Sequence, residues 1–131
     1  MALVTSKEML LKAQREGYAV GAFNAENMEM VQAIVEAAEE LRAPVIIQTT
    51  PGTLNYGSPE LFAAMAAEEA KKASIPVALH LDHGSSYELA ARALKAGYTS
   101  IMIDGSKEPF EANVELSSSV VKMAHAMGIP V

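Results

Sequence analysis

The sequence predicts an α/β fold built on a parallel sheet, and three observations predict it. Short β-rich runs alternate with amphipathic stretches along the whole chain. The runs start near residues 19, 44, 76, 100 and 130, so successive starts lie 25, 32, 24 and 30 residues apart. That spacing leaves room for one helix between strands, the crossover that parallel pairing requires. Thirdly, 50% of the 131 residues are apolar and only 20% charged, which supplies a core for one domain and excludes a disordered chain.

Each element has a local reason. Thr5 followed by Glu8 forms the pattern of a capping box, opening a helix that runs to about Tyr18 and ends around Gly17. Residues 19–24 then read as a first strand. Met28, Val31, Ile34, Val35, Ala38 and Leu41 fall on one helical stripe, with Glu29, Glu36, Glu39 and Glu40 on the solvated side. Pro44 interrupts that helix before a second strand over 45–50. Residues 51–57 are rich in turn formers and read as a loop. Ser58-Pro59 is a cap followed by proline at the first helical position, and the helix continues to about Ser74. A third strand over 76–83, a helix from Tyr87 to Gly97 and a fourth strand over 100–104 follow. Pro109 opens a last helix to about Met127, and 128–131 enter a fifth strand. The eight methionines mostly keep helical spacing, which assigns them to the core.

Two architectures share this rhythm. A flavodoxin-like doubly wound sheet uses five strands and closes with a helix. A (β/α)8 TIM barrel uses eight units. The pattern favours the barrel: 1–131 then form the amino-terminal half of a single barrel domain, with a leading helix, four βα units and the start of strand five.

Composition removes several function classes. Ten Lys and Arg against sixteen Asp and Glu give a net charge of −6, which argues against nucleic acid as a partner while leaving small anions open. There is no Cys, hence no disulfide framework, thiolate metal site or thiol nucleophile. No signal-peptide pattern and no membrane-length apolar run are visible, so a cytoplasmic location without a membrane partner is expected. No glycine-rich nucleotide loop is present.

In either architecture a ligand sits at the carboxyl ends of the strands. Those ends carry Asn24, then Gln48-Thr49-Thr50, then His80-Leu81-Asp82-His83-Gly84, then Asp104-Gly105-Ser106. The third holds two imidazoles around a carboxylate. Imidazole ligates zinc, and a neighbouring carboxylic acid can move protons at a metal-polarised substrate. In an extended strand His80 and Asp82 point one way and His83 the other, so Asp82 and His83 converge only if the chain turns, which Gly84 permits. A His-x-x-His pair alone is a weak signal, and a histidine near a strand end is more often a structural hydrogen-bonding residue than a metal ligand. Asp104 serves a site or caps the next turn, Asn24 is similarly divided, and His125 reads as a helix-surface residue.

These residues carry a resemblance. Residues 18–24, Ala43-Pro44-Val45-Ile46-Ile47, His80-Leu81-Asp82-His83-Gly84-Ser85, Ser100-Ile101-Met102-Ile103-Asp104-Gly105-Ser106 and Pro109-Phe110-Glu111-Ala112-Asn113, in that order, resemble the class II, zinc-dependent ketose-bisphosphate aldolases. The family fold is the (β/α)8 barrel. The resemblance implies reversible cleavage of a fructose or tagatose 1,6-bisphosphate to dihydroxyacetone phosphate and glyceraldehyde 3-phosphate, with Zn2+ as cofactor. It implies His83 as a zinc ligand, Asp104 as a residue holding zinc in an alternative, more buried position, and Asp82 as the catalytic acid or base. Asn24 and Thr50 are implied as contacts to substrate oxygens, Thr50 near a phosphate end. Complete members add two zinc histidines and a glycine-rich phosphate loop further along the chain. These 131 residues alone are therefore expected to be inactive and to self-associate as a homo-oligomer. A non-catalytic half-barrel module and a flavodoxin-like binding domain are the alternative readings.

Overall fold

The structure, a computed structural model, describes residues 2–131. The elements run α1 (Ser6–Glu16), β1 (Gly21–Asn24), α2 (Met28–Glu40), β2 (Val45–Thr49), α3 (Pro51–Tyr56), α4 (Pro59–Lys72), β3 (Val77–Gly84), α5 (Tyr87–Ala96), β4 (Ser100–Ile103) and α6 (Phe110–Ala126). All four strands are parallel, in the order β1-β2-β3-β4.

That order decides between the two architectures. A flavodoxin-like sheet reverses its strand order and places helices on both faces. Here each strand is added beyond the last, and the helices between strands pack on a single face. Val31, Val35 and Ala38 of α2, Phe62, Ala66 and Ala70 of α4, Ala90 and Leu94 of α5, and Val120 and Ala124 of α6 form one buried cluster with Val45, Ile47, Val77, Leu79, Leu81 and Ile101 of the strands. Progressive winding in one direction is the geometry of a (β/α)8 barrel.

The opposite face of the sheet is different. Its lower row, Ala22↔Ile46↔Ala78, is apolar. Met9 of α1 packs on Ile46 and Ala78, with Val4 and Val20 beside them, so α1 closes this end. The next row up is polar across all four strands: Asn24↔Gln48, Gln48↔His80 and His80↔Ser100 are register partners. Side chains of period two place these four on the same face as Asp82.

Several local expectations are corrected. Thr5 is the N-cap of α1 but makes no side-chain capping bond, so the Thr5–Glu8 box is not formed; Ser6 is instead buried and bonded to β4. Residues 51–56 are a helix, not a loop, because Thr50 caps it reciprocally with Thr53 and Pro51 occupies a first-turn position. Among the described methionines Met9 is buried and Met65 and Met123 pack half-buried against the core, as the helical spacing predicts, while Met28, Met30 and Met127 are exposed. They sit at helix ends, beyond the reach of the sheet; Leu41, at the end of its stripe, is exposed for the same reason. Glu39 is not simply solvated: it accepts from Ser74 N at 2.8 Å and from Ser74 Oγ at 2.5 Å, tying α2 to the turn after α4. Residues 128–131 form no strand, although Ile101 N donates to Pro130 O at 3.2 Å, which lays the segment along β4. The glycine stops hold, with Gly17 at φ 75° and Gly97 at φ 110° in left-handed C-caps.

Candidate active site

The ends of β3 and β4 bring the chemistry together. His83 is the only non-glycine besides Arg42 with a positive φ among the described residues, at 51°. The turn expected at Gly84 therefore occurs at His83 itself, and the β3–β4 register shifts between Leu81 and Gly84. This bulge swings His83 to the side that Asp82 faces, and His83 Nε2 lies 3.9 Å from Asp82 Oδ1. Gly84 has a separate task. A Cβ there would meet Met102 O at 2.7 Å and Leu81 Cδ2 at 2.9 Å, so only glycine lets β3 and β4 approach.

His83 Nδ1 donates to Asp104 Oδ2 at 2.7 Å, since a carboxylate can only accept. Asp104 Oδ1 also accepts from Ser106 N at 3.0 Å, so this residue both caps its turn and holds the imidazole. The bond to Asp104, then the Asp82 charge, raise the His83 pKa above its ordinary value of 6.5. Reciprocally, the bonds from His83 and Ser106 hold the Asp104 carboxyl well below the usual carboxylate range. With Nδ1 committed, Nε2 is the nitrogen presented to a ligand, the arrangement in which a carboxylate orients a metal-binding imidazole.

His80 goes elsewhere. Its Nδ1 lies 2.8 Å from Ser100 Oγ, and Ser6 Oγ donates to Ser100 Oγ at 2.9 Å. Burial lowers the His80 pKa, against the raising effect of Asp82, so the ring is neutral and accepts from Ser100. The two histidines are thus separated by the left-handed turn, one into a structural chain and one toward solvent.

Asp82 is held by Gln48, a residue at the end of β2 for which the sequence suggests no role. Gln48 Nε2 donates to Asp82 Oδ2 at 3.0 Å and to Asn24 Oδ1 at 2.8 Å, linking β1, β2 and β3. The signal lies in register rather than spacing, because Gln48 is the partner of Asn24 and stands one row below Asp82. Thr50 is not bonded to this group. Its hydroxyl lies 3.1 Å from Thr53 Oγ1, which donates to Glu26 Oε1 at 2.8 Å. His125 is exposed on α6, as expected of a helix-surface residue.

Among the described residues no three His, Asp, Glu or Cys side chains are arranged to hold a metal ion. A catalytic zinc takes about three protein ligands. The donor chemistry here suits one of them, the His83 Nε2, with a carboxylate already positioned behind the ring.

Parallel strands wound in one direction, with polar groups gathered at their carboxyl ends, define the ligand face of a (β/α)8 barrel. The profile described as fructose-bisphosphate aldolase class-II matches residues 4–131, and the chain belongs to that family. It is 54% identical over 129 residues to a fructose-bisphosphate aldolase of Thermus caldophilus, covering 98% of this chain and 42% of that protein. It is 50% identical over 125 residues to the D-tagatose-1,6-bisphosphate aldolase subunit GatY of Klebsiella oxytoca, covering 95% of this chain and 44% of that one. The crystal structure of the YdjI aldolase from Escherichia coli K12 superposes with a TM-score of 0.92 at 38% identity, over 98% of this chain and 50% of that one. The chain therefore spans about half the length of the relatives it matches. No helix among the described residues is long and apolar enough to cross a membrane.

Proposed function

We infer that these residues form one side of the active face of a zinc-dependent aldolase that reversibly cleaves a fructose or tagatose 1,6-bisphosphate to dihydroxyacetone phosphate and glyceraldehyde 3-phosphate. The observation that carries this reading is the convergence of Asp82, His83 and Asp104 through the left-handed turn at His83. His83 Nε2 would hold the zinc, with Asp104 fixing the ring or binding the ion in its alternative position. When bound, zinc supplies Lewis-acid polarisation of the ketose carbonyl and hydroxyl. The remaining protein ligands come from outside these 131 residues, and so does the loop that grips the phosphate.

Asp82 moves the proton of the hydroxyl at the cleaved carbon–carbon bond. Its Oδ2 is occupied by Gln48, which leaves Oδ1, on the His83 side, free to exchange that proton. Asn24 and Thr50 contact substrate oxygens from the ends of β1 and β2. β1 is exposed along its length, and this unpartnered edge supports self-association of the isolated chain.

Triose phosphate release, measured with and without zinc, tests the reading in a protein of full family length carrying these residues. Asp82→Ala should lower kcat by roughly 10²–10⁴-fold with zinc still bound, the loss expected of a general acid or base. His83→Ala should lower zinc occupancy and activity together. Zinc loss from Asp82→Ala would make Asp82 a ligand and overturn the division of roles. The 131 residues alone should turn over at less than about a tenth of the full-length rate, because the ligand set is incomplete.

A further inference from the structure

The turn that aims Asp104 at His83 leans on α6. Asp104 N donates to Gly84 O at 2.9 Å, which anchors the end of β4 on β3. Ser106 N donates to Asp104 Oδ1 and Glu108 N to Gly105 O, each at 3.0 Å, so the chain turns at once toward Pro109. Those two bonds lie within the turn and do not tie it to the rest of the fold. Asn113, in the first turn of α6, meets it from outside. A Cβ on Gly105 would stand 2.8 Å from Asn113 Cγ and closer still to its Oδ1. Gly105 is buried and its φ is not positive, so glycine is needed there to admit the carboxamide and not to bend the backbone. The carboxamide is itself held, because Ser117 Oγ donates to Asn113 Oδ1 at 3.2 Å. Further along the helix, Val120 and Ala124 fix α6 in the core.

We propose that Asn113, held by Ser117, is a positioning residue for the site: its side chain fills the space over Gly105 and keeps the turn where Asp104 can orient the His83 ring. A contiguous path then runs from the packed helix through Asn113, Gly105 and Asp104 to the imidazole. Without the carboxamide, Gly105 loses the contacts on one side and the turn is free to rotate. A hydrogen bond weakens steeply as its angle closes, so a small rotation releases His83 Nδ1. The proposal rests on the reading of His83 Nε2 as the nitrogen that binds metal, since that is what the orientation serves.

The test reads the ring nitrogens of the metal-free 131-residue chain by nitrogen-15 NMR, at a pH where both imidazoles are neutral. In the wild type the His83 proton sits on Nδ1, committed to Asp104. Asn113→Ala empties the space over Gly105, and Gly105→Ala pushes the carboxamide out of it. Each should move part of that proton to Nε2 and raise the zinc concentration that half-shifts His83 by about tenfold, the lower end of the loss of an orienting partner. The two substitutions together should recover most of the wild-type signal, because the new Cβ takes up the space that the carboxamide leaves. Non-additivity of that kind marks residues in direct contact. Ser117→Ala should give a smaller shift in the same direction. His80, bonded to Ser100, is the control in every spectrum and should not move. The proposal is overturned if Asn113→Ala keeps the wild-type His83 tautomer or if the double variant equals the sum of the single ones. It is equally overturned if His80 moves with His83, which would show a general loosening of the fold. The expected tautomer shifts with no response of His83 to zinc would support the positioning role and count against the metal reading instead.

Discussion

The two faces of the sheet use the same backbone for opposite purposes. The helix-covered face presents Ile47, Leu79, Leu81 and Ile101, all at most 1% exposed, to apolar side chains of α2, α4, α5 and α6. The other face presents Asn24, Gln48, His80 and Ser100 in one register row, with Asp82 above. Close packing stabilises the first, and its energy is spread over many weak contacts. Hydrogen bonds organise the second, and each contributes little net stability while fixing a direction. What this teaches is that stability and chemistry are carried by alternate residues of the same strands.

Truncation should separate the two faces most sharply. Leu81→Ala on the packed face should cost about 2–5 kcal/mol of unfolding free energy, through lost burial and the cavity left behind. Gln48→Met on the polar face should change stability by less than about 1.5 kcal/mol, since volume is kept and the site is half-buried. Urea denaturation of both variants checks the pair, and equal losses would erase the distinction.

Gly84 joins the faces, because it sits where β3 and β4 come closest. Gly84→Ala should destabilise by roughly 1–3 kcal/mol, as its Cβ meets backbone at Met102 that cannot swing away. The same melts report it. A neutral result would mean that the bulge at Leu81–Gly84 relaxes freely.

The smallest effects are in titration. His83 gains Asp104 on folding, so its stabilising contribution is complete below the ordinary value of 6.5 and fades as pH rises through the raised folded value. His80 behaves in the opposite sense. Its folded pKa lies below 6.5, so stability falls as the pH drops from 6.5 through that lowered value. Proton NMR of the two rings should give midpoints on either side of 6.5, with Asp104→Asn returning His83 toward it. A His83 midpoint below that of His80 would contradict the geometry.

Much of the fold was legible because its determinants are local. The spacing of the first four strands, the Gly17 and Gly97 stops and the Ser58-Pro59 start each act within a few residues, and the structure realises these, while the fifth strand expected from 128 is not formed. The choice between barrel and doubly wound sheet was not local; it needed the strand order. Gln48 had no role in the sequence reading because its bonds to Asn24 and Asp82 span 24 and 34 positions and depend on register. The helix over 51–56 was hidden because Thr, Pro and Gly read as turn formers until the Thr50–Thr53 pair is seen to close a cap. The βα pattern put the candidate residues at the strand ends and family resemblance gave them roles, while periodicity alone placed Asp82 and His83 on opposite faces. The positive φ of His83 is what brings them together.

That separation of His80 from His83 is the most direct thing to measure. Zinc added to the 131-residue chain, followed by nitrogen-15 NMR of the imidazoles, should shift the Nε2 of His83 and leave the His80 ring bonded to Ser100 and unmoved. Equal shifts of both histidines would show that the pair binds metal as a unit, and would contradict the account.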